Sequence, residues 1–355
     1  MQALFPVYPF DQMRYRDQIA PLLPRQILDI HTHVWKKSIA RPERMKGQGN
    51  VSWTAYVADD QSMEDLLWTY QALFPDKQVI PLIFGFPDLQ YDTEDQNSAV
   101  CQTALKHGFP ALALVQPEWS AKKLEWILTQ GGFFGCKVYL SYSPSYIPEH
   151  EIRIFDFLPR HQLEVIDQLG LLVMLHIPRD QRLRDEVNIA QLLEINRCYP
   201  RIKVIVAHVG RAYCEEDVGQ SLERLAASDL FFDISANTNC QVFEQLIKAV
   251  GPKRILFGSD LPITRMRSIR VCENGHYINI VPKGLYGDIS HDNHMREADP
   301  DSEKEITIFL YEEISAILKA GKRAGLSEKD FHDIFFQNAV SLLSLDIGAV
   351  IRSEE

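Results

Sequence analysis

The sequence predicts an α/β protein of the (β/α)8 barrel class, and two observations support this prediction. Eight short apolar runs alternate along the chain with longer amphipathic stretches that have helical spacing. Strands that are apolar throughout indicate parallel pairing with both faces of the sheet covered, and eight strand–helix units close naturally into a barrel. An open doubly wound sheet is the alternative, but the sequence contains neither GxGxxG nor GxxxxGKS/T, which mark a nucleotide site in that class.

The elements follow one another in a regular order. The apolar runs are rich in residues that favour strands and lie at residues 27–34, 79–86, 111–116, 133–140, 171–177, 203–209, 230–235 and 254–260. The helical stretches lie at residues 63–74, 95–108, 120–132, 161–170, 188–199, 218–227 and 241–251. Several of them end at a glycine that suits a helix C-cap, and Ser120 is a candidate N-cap.

Composition limits the domain organisation and the partners. No linker, repeat or low-complexity tract divides the 355 residues, so we expect one domain over residues 1–355, with the barrel at about 25–345 and a long insertion after strand eight at about 262–302. A net charge of -11 and scattered basic residues argue against a nucleic-acid or anionic-membrane partner. No stretch is long enough to span a bilayer and no signal-peptide pattern begins the chain. A cytoplasmic protein with a small-molecule substrate is expected, with a homo-oligomer left open.

The six cysteines are dispersed and form no CxxC pair. This spacing argues against a thiolate zinc site and against a disulfide framework. Reduced, mostly buried thiols are therefore predicted at Cys101, Cys136, Cys198, Cys214, Cys240 and Cys272.

Ionisable side chains stand near the ends of the predicted strands, where the functional face of a barrel lies. His31 and His33 end the first run, and residues two apart on a strand point to the same face, so both imidazoles are expected to point the same way. Other strands contribute two histidines, an aspartate and a lysine: His176, His208, Asp260 and Lys137. Each alone has an ordinary structural explanation, but together they supply the nitrogen and oxygen ligands of a catalytic metal.

At these residues the sequence resembles the amidohydrolase superfamily, and within it the amidohydrolase-related family, also called amidohydrolase type 2. The resemblance extends from the HTH pair at His31 to the segment from Phe336 to Leu345, which is similar to the last helix of that family. It implies a metal-dependent TIM barrel. The family includes hydrolases of amides and lactones as well as metal-dependent decarboxylases.

The resemblance implies one divalent metal, with zinc expected and manganese the alternative, held by His31, His33, His176 and Asp260. His208 would stand beside the metal, where it polarises a substrate carbonyl or moves a proton, while Asp260 accepts the proton of a metal-activated water.

Lys137 leaves two alternatives open. In some members of the superfamily a lysine on strand four is carboxylated and bridges two metals. We prefer a single metal, with Lys137 as a structural or substrate-facing cation.

About forty residues separate Asp260 from a late helix predicted to begin near Ser302, which is long for a strand-to-helix loop. An Asn-Gly pair at residues 274–275 lies there between two strand-like arms and suits a type I′ turn. We therefore predict a β-hairpin lid over the mouth, in which Tyr277 or His276 meets substrate. A surface hairpin or an oligomer contact is the alternative.

Two arginines are predicted to lie near the mouth. Arg179 follows His176 and Arg211 follows His208, and a guanidinium suits bidentate capture of a carboxylate. An acidic substrate is therefore favoured, with surface ion pairing as the alternative. Arg41 and Arg44, just after strand one, are weaker candidates of the same kind.

These expectations favour a metal-dependent hydrolase that uses metal-activated water on a small, carboxylate-bearing amide, lactone or ester. A metal-dependent non-oxidative decarboxylase of a small carboxylic acid is the alternative. A barrel that only binds or scaffolds is a third interpretation, which the complete ligand set disfavours.

Overall fold

Eight parallel strands form the wall of a barrel in the computed structural model, which describes residues 3–41 and 56–346. Strands β3 to β8 pair in chain order, β1 pairs with β2, and every one of these pairs is parallel. The strands β1 to β8 cover Gln26–His33, Gln78–Phe84, Ala113–Leu114, Gly135–Val138, Leu172–Leu175, Lys203–Val206, Phe231–Asp233 and Ile255–Leu256.

Backbone hydrogen bonds join the two groups of strands at both edges. The amide of Leu112 donates to the carbonyl of Ile83 at 3.0 Å and so links β2 to β3. The amide of Asp260 donates to the carbonyl of His31 at 2.8 Å, which links the end of β8 to β1. The chain therefore forms a (β/α)8 barrel, as the alternating pattern predicts.

Helices surround the strands. Within the described residues no helix has both the length and the apolar character needed to cross a bilayer. The α-helices cover Pro9–Arg14, Met63–Leu73, Thr93–His107, Ala121–Gln130, Ile154–Phe157, Arg160–Leu169, Glu186–Cys198, Ser221–Leu225, Cys240–Val250, Phe309–Arg323, Glu328–His332 and Asn338–Leu343. Shorter π and 3-10 segments cover Tyr15–Ile19, Ala20–Leu22, Lys37–Ile39, Leu140–Tyr142, Glu149–Glu151, Arg182–Arg184, Glu215–Asp217, Pro252–Arg254, Ile263–Arg265, Ser302–Glu305 and Asp333–Gln337.

Local sequence accounts for several helix ends. Ser120 caps the helix Ala121–Gln130, because its hydroxyl accepts from the amide of Lys123 at 3.3 Å. Gly108 and Gly170 end two other helices with φ angles of 69° and 64°, a left-handed conformation that glycine adopts without steric penalty.

Two helices are shorter than predicted. In the stretch 218–227 the helix begins only at Ser221, because Gly219 has a φ of 54° and interrupts the helical path. The late helix begins at Phe309 rather than near Ser302. Ser302–Glu305 forms a separate 3-10 segment, and Ile308 directly before the helix is extended, because it forms an antiparallel bridge with Arg267 of the insertion.

The insertion after β8 forms a small sheet of its own. Strands β9 (Ile269–Glu273) and β10 (His276–Val281) form an antiparallel hairpin, and β11 (Met295–Glu297) pairs in parallel with β10. Asn274 and Gly275 have φ angles of 52° and 76°, as a type I′ turn requires.

A disulfide joins Cys214 to Cys272, which corrects the prediction that the cysteines are reduced. Cys214 follows β6 and Cys272 lies on β9, so the bond fastens the hairpin to the barrel. The prediction of mostly buried thiols is also wrong. Of the free cysteines that the structure describes, Cys136 alone is buried, and Cys198 is exposed. The two partners are 58 residues apart, so only tertiary structure brings them together.

Candidate metal centre

The side chains of His31, His33 and Asp260 meet at the C-terminal end of the barrel. Nε2 of His33 lies 3.2 Å from Oδ1 of Asp260, and Nε2 of His31 lies 3.5 Å from the same oxygen. Each residue offers one ligand atom, and these atoms lie within 4.8 Å of one another. The Asp260 side chain is 13% exposed, against 1% for His31 and 7% for His33, so the carboxylate is the most open of the three groups.

Both imidazoles use Nδ1 for a hydrogen bond on the side away from Asp260. Nδ1 of His31 lies 3.0 Å from Oδ2 of Asp233, and Nδ1 of His33 lies 3.0 Å from the carbonyl oxygen of Gly85. Because these partners only accept hydrogen bonds, they favour a ring proton on Nδ1 and leave Nε2 as the atom of each ring that can face a metal. Metal-binding histidines usually have such contacts. The converging lone pairs fit a cation.

His176 brings a further unpaired nitrogen to this end of the barrel. Its Nδ1 is buried and has no hydrogen-bond partner among the described residues, which is unfavourable for a polar atom unless a ligand satisfies it. Its ring centre lies 5.3 Å from that of His208 and 4.5 Å from that of Tyr139. Burial, and then the positive charge of Arg211, hold the pKa of His176 well below its usual value, so the ring is neutral.

His208 lies beside the first pair of histidines. Its ring centre is 4.8 Å from that of His31, and its Nδ1 lies 3.1 Å from the carbonyl oxygen of Ser235. The backbone amide of His208 donates to Oδ1 of Asp233 at 2.9 Å. Burial lowers the pKa of His208, so the neutral ring keeps its proton on Nδ1 and its Nε2 stays free to accept one.

The backbone at both catalytic candidates is left-handed. Asp260 has a φ of 56°, a conformation that non-glycine residues rarely adopt. The residues after β6 form a left-handed turn with φ angles of 57°, 50°, 62° and 60° at His208, Val209, Gly210 and Arg211. Such conformations concentrate at functional sites, where surrounding contacts hold them.

The charges of the centre are fixed by burial and by pairing. Burial lowers the pKa of His31 to about 3, with the charge of Lys137 as the next cause. Burial acts to raise the pKa of Asp260, but the close contact with His33 and the interactions with His31 and His208 outweigh it, and the pKa lies below its usual range. The centre therefore combines an ionised carboxylate with a neutral His31 at neutral pH.

Lys137 lies next to His31 and not at the open side of the mouth. Its Nζ is 3.2 Å from Nε2 of His31 and 5.3 Å from the ring centre of Phe84, and the residue is 1% exposed. Burial lowers its pKa to about 8, although the charges of Asp233 and Asp260 oppose this shift.

The predicted arginines differ in their surroundings. Nε of Arg179 donates to Asp185 at 2.9 Å, so this guanidinium already has an ion pair. Arg211 donates through Nη1 to the carbonyls of Ile177 and Arg179, both at 3.3 Å, and its charge acts on His176. Arg211 is therefore the better placed of the two.

The arginines after strand one lie apart from this group. Arg41 is half exposed to solvent and forms ion pairs with Asp92 and Asp95 at 3.3 and 2.9 Å, which agrees with surface ion pairing. Arg44 lies outside the described residues.

On the hairpin, Tyr277 is buried and His276 is exposed. The ring centre of Tyr277 lies 4.9 Å from that of Tyr213, and the guanidinium of Arg270 lies 4.4 Å above the Tyr277 ring. Tyr277 therefore packs against Tyr213 of the barrel end and Arg270 of the hairpin, whereas His276 is exposed to solvent.

Sequence reasoning missed two aspartates of this centre. Asp233 lies in the second half of the apolar run LFFDIS and is the last residue of β7, so the rule that selected His176, His208 and Asp260 also applies to it. Asp29 lies within β1 and accepts from the amide of Ser259 at 2.8 Å. Burial raises the pKa of Asp29 to about 7. No sequence signal distinguishes Asp29 from a structural residue.

Histidines and an aspartate that could hold a metal, on the strand ends of a (β/α)8 barrel, are typical of a class of metal-dependent barrel enzymes. The family model described as amidohydrolase matches residues 28–345. The chain belongs to this family, whose members are metal-dependent, and it is an enzyme of the amidohydrolase superfamily. No curated protein matches the sequence.

Solved structures share the fold at low sequence identity. An amidohydrolase from Burkholderia multivorans with bound HEPES has a TM-score of 0.58 at 13% identity and covers 90% of this chain and 99% of its own. A probable 2-pyrone-4,6-dicarboxylic acid hydrolase from Acinetobacter baumannii has a TM-score of 0.55 at 16% identity, with 90% and 99% covered. The 2,6-dihydroxybenzoate decarboxylase from Rhizobium has a TM-score of 0.53 at 15% identity, with 91% and 100% covered.

Proposed function

We propose that this protein is a metal-dependent hydrolase that breaks an acyl C–O or C–N bond in a small, carboxylate-bearing lactone, ester or amide. The carboxylate of Asp260 supports this most directly. It is ionised, it lies within 3.5 Å of Nε2 of both His31 and His33, and it is the most exposed group of the three. Such a carboxylate is suited to take a proton from water.

We infer that one divalent metal is held by His31, His33, His176 and Asp260. Zinc is the expected metal and manganese the alternative, because histidine and carboxylate ligands suit both. When bound, such a metal polarises a substrate carbonyl and makes nearby water more acidic. Lys137 is a structural cation in this proposal, and its carboxylation with a second metal is the alternative.

Asp260 and His208 then carry out the proton transfers of the reaction. The oxygen of water bonds to the acyl carbon while Asp260 accepts the water proton, and the bond to the leaving atom breaks as that atom receives a proton. His208 is suited to carry the proton through Nε2, because its Nδ1 is engaged by Ser235 and its ring is neutral.

Arg211 is the residue we assign to the carboxylate of the substrate. Its charge is the strongest of those that act on His176, and its described partners are carbonyl oxygens, not carboxylates. Arg179 plays a supporting part, because Asp185 already neutralises it. Tyr277 completes the wall on the hairpin side.

A decarboxylase of an aromatic acid is the second candidate, and the aromatic wall beside His33 favours it. Phe86 lies 5.9 Å from His33 between ring centres and stacks on Trp35 at 4.6 Å. Flat aromatic rings pack well against such a surface. The barrel fold is shared with a 2,6-dihydroxybenzoate decarboxylase, although that likeness carries no substrate information.

The test is a substrate screen with zinc-loaded and manganese-loaded protein, using carboxylated lactones, esters and amides in parallel with aromatic acids. In water enriched in oxygen-18, hydrolysis places the label in the product acid, and Asp260→Asn abolishes turnover. Release of carbon dioxide without incorporation of label would instead identify the decarboxylase.

A further inference from the structure

One peptide unit connects His208 to a side chain outside the metal centre. The peptide between Ser235 and Ala236 presents its carbonyl oxygen to Nδ1 of His208 at 3.1 Å, and the hydroxyl oxygen of the same Ser235 lies 2.9 Å from that nitrogen. The N–H of the same peptide donates to Oε2 of Glu313 at 2.8 Å. Because a peptide unit is planar and stiff, the group that binds its N–H also fixes the direction of its carbonyl.

This peptide lies in a turn that needs outside contacts to keep its shape. Ala236 has a φ of 51°, in the left-handed region that a residue with a Cβ rarely adopts. The carbonyl of Ala236 accepts from Nη1 of Arg270 at 2.5 Å, and Arg270 lies on β9 of the hairpin. Glu313 and Arg270 thus hold the two sides of the same left-handed residue.

Glu313 has few other contacts that explain its presence. It is fully buried on the helix Phe309–Arg323, and its Oε1 has no hydrogen-bond partner among the described residues. A buried carboxyl group is unfavourable unless its hydrogen bonds compensate, so an apolar side chain would serve the packing of the helix better. The described hydrogen bond of Glu313 goes to the peptide that orients His208.

We propose that Glu313 is a positioning residue for His208, which it orients through the Ser235–Ala236 peptide so that Nδ1 keeps the ring proton and Nε2 faces the substrate. The use of His208 in turnover rests on the proposed function. The positioning itself does not depend on any substrate, and it can be measured without one.

The test is nitrogen-15 NMR of the full-length protein labelled at histidine, as purified, with the His208 signal assigned by its loss in His208→Asn. The wild type should show His208 protonated at Nδ1. Glu313→Ala should move this signal towards a mixture of tautomers, whereas Glu313→Gln should preserve it, because an amide oxygen still accepts from the Ala236 amide. Nδ1 of His33, which faces the Gly85 carbonyl, is the reference in the same spectrum.

Glu312→Ala is the matched control, because the neighbouring carboxylate on the same helix pairs with Arg14 and does not contact the turn. Its spectrum should be that of the wild type. An unchanged His208 signal in Glu313→Ala, or an equal change in Glu312→Ala, would overturn the proposal.

Once a substrate is known, steady-state kinetics provide a second test of the role of Glu313. Glu313→Ala should lower kcat by about ten- to a hundredfold with little change in KM, as expected when a catalytic group is misplaced. Glu313→Gln should restore most of the loss. In a His208→Ala background Glu313→Ala should have no further effect on kcat, and a full additional loss there would show that Glu313 does not act through His208.

Discussion

Asp233 and His31 share a buried hydrogen bond of 3.0 Å between Oδ2 and Nδ1, on the side of the ring away from Asp260. Oδ1 of Asp233 also accepts from the backbone amide of His208 at 2.9 Å. One carboxylate therefore orients a metal-binding candidate and the start of the left-handed turn that carries another site residue. The hydrogen-bond partners of metal-binding side chains commonly affect the affinity for the metal.

Replacing Asp233 should weaken the metal site without removing a ligand. Asp233→Asn keeps the shape of the side chain but presents a neutral acceptor to Nδ1 of His31, so we expect metal affinity to fall by about ten- to a hundredfold. Competition with a chelator of known affinity measures this. Asp333→Asn is the control, because that buried aspartate pairs with Lys253 and Lys329. An equal loss in both variants would contradict the assigned role.

The disulfide should stabilise the fold and hold the hairpin in place. The bond closes a loop of 58 residues, and such a cross-link typically contributes about 2–4 kcal/mol. The double variant Cys214→Ser, Cys272→Ser should therefore unfold at a lower denaturant concentration than the wild type, as should wild type treated with a reductant. Cys198→Ser, at an exposed free cysteine, should not change stability. If reductant and double variant leave the midpoint unmoved, the bond does not form in solution.

The buried histidines of the centre should lower the stability of the metal-free protein as pH falls below about 6.5, whereas Asp29, with its raised pKa, acts in the opposite direction. The folded pKa of His31 is about 3, below its unfolded value of 6.5, so between these values the unfolded chain binds a proton that the folded protein does not. The stability from the neutral ring is therefore present above pH 6.5 and declines towards pH 3. His176 and His208 act in the same direction.

Denaturant unfolding with a chelator present, at pH 7.5, 6.0 and 5.0, measures this dependence. Removing one such histidine, as in His31→Asn, should reduce the slope of the unfolding free energy against pH by about 1.4 kcal/mol per pH unit. His332→Asn, at a half-exposed histidine of the helix Glu328–His332, is the control for the substitution itself. Equal slopes in wild type and His31→Asn would contradict the buried neutral ring.

The absence of a side chain at Gly258 leaves room for His31, so a methyl group at this position should disturb the metal centre. A Cβ at Gly258 would lie 2.7 Å from Cβ of His31, which is too close for either residue to remain in place. We expect Gly258→Ala to lower metal affinity and the free energy of unfolding together, as measured by metal titration and denaturant unfolding. Unchanged metal binding would show that the end of β8 adapts without moving His31.

Much of this architecture could be predicted because it depends on local periodicity. The two-residue repeat of a strand places His31 and His33 on one face, and apolar runs with an ionisable residue at their ends indicate His176, His208 and Asp260. The Asn-Gly pair likewise indicates the turn of the hairpin. Each of these signals lies within a few residues of the chain.

The remaining features depend on contacts between distant segments. Cys214 and Cys272 meet only because the hairpin folds back onto the loop after β6. Glu313 approaches Ala236 from a helix 77 residues further along the chain, with no motif to mark it. Asp233 differs, since an ionisable residue near the end of an apolar run is a local signal of the same kind as His176 and His208.

The most direct test of the account is the metal content per chain, measured by plasma mass spectrometry on protein purified without chelator. We predict about one equivalent in the wild type, as for a mononuclear site. The same content should survive in Lys137→Ala and fall sharply in Asp260→Asn. Two equivalents of metal in the wild type that are lost in Lys137→Ala would instead indicate a carboxylated lysine between two metals and contradict the single-metal centre. A wild type that binds no added zinc or manganese would contradict the metal site altogether.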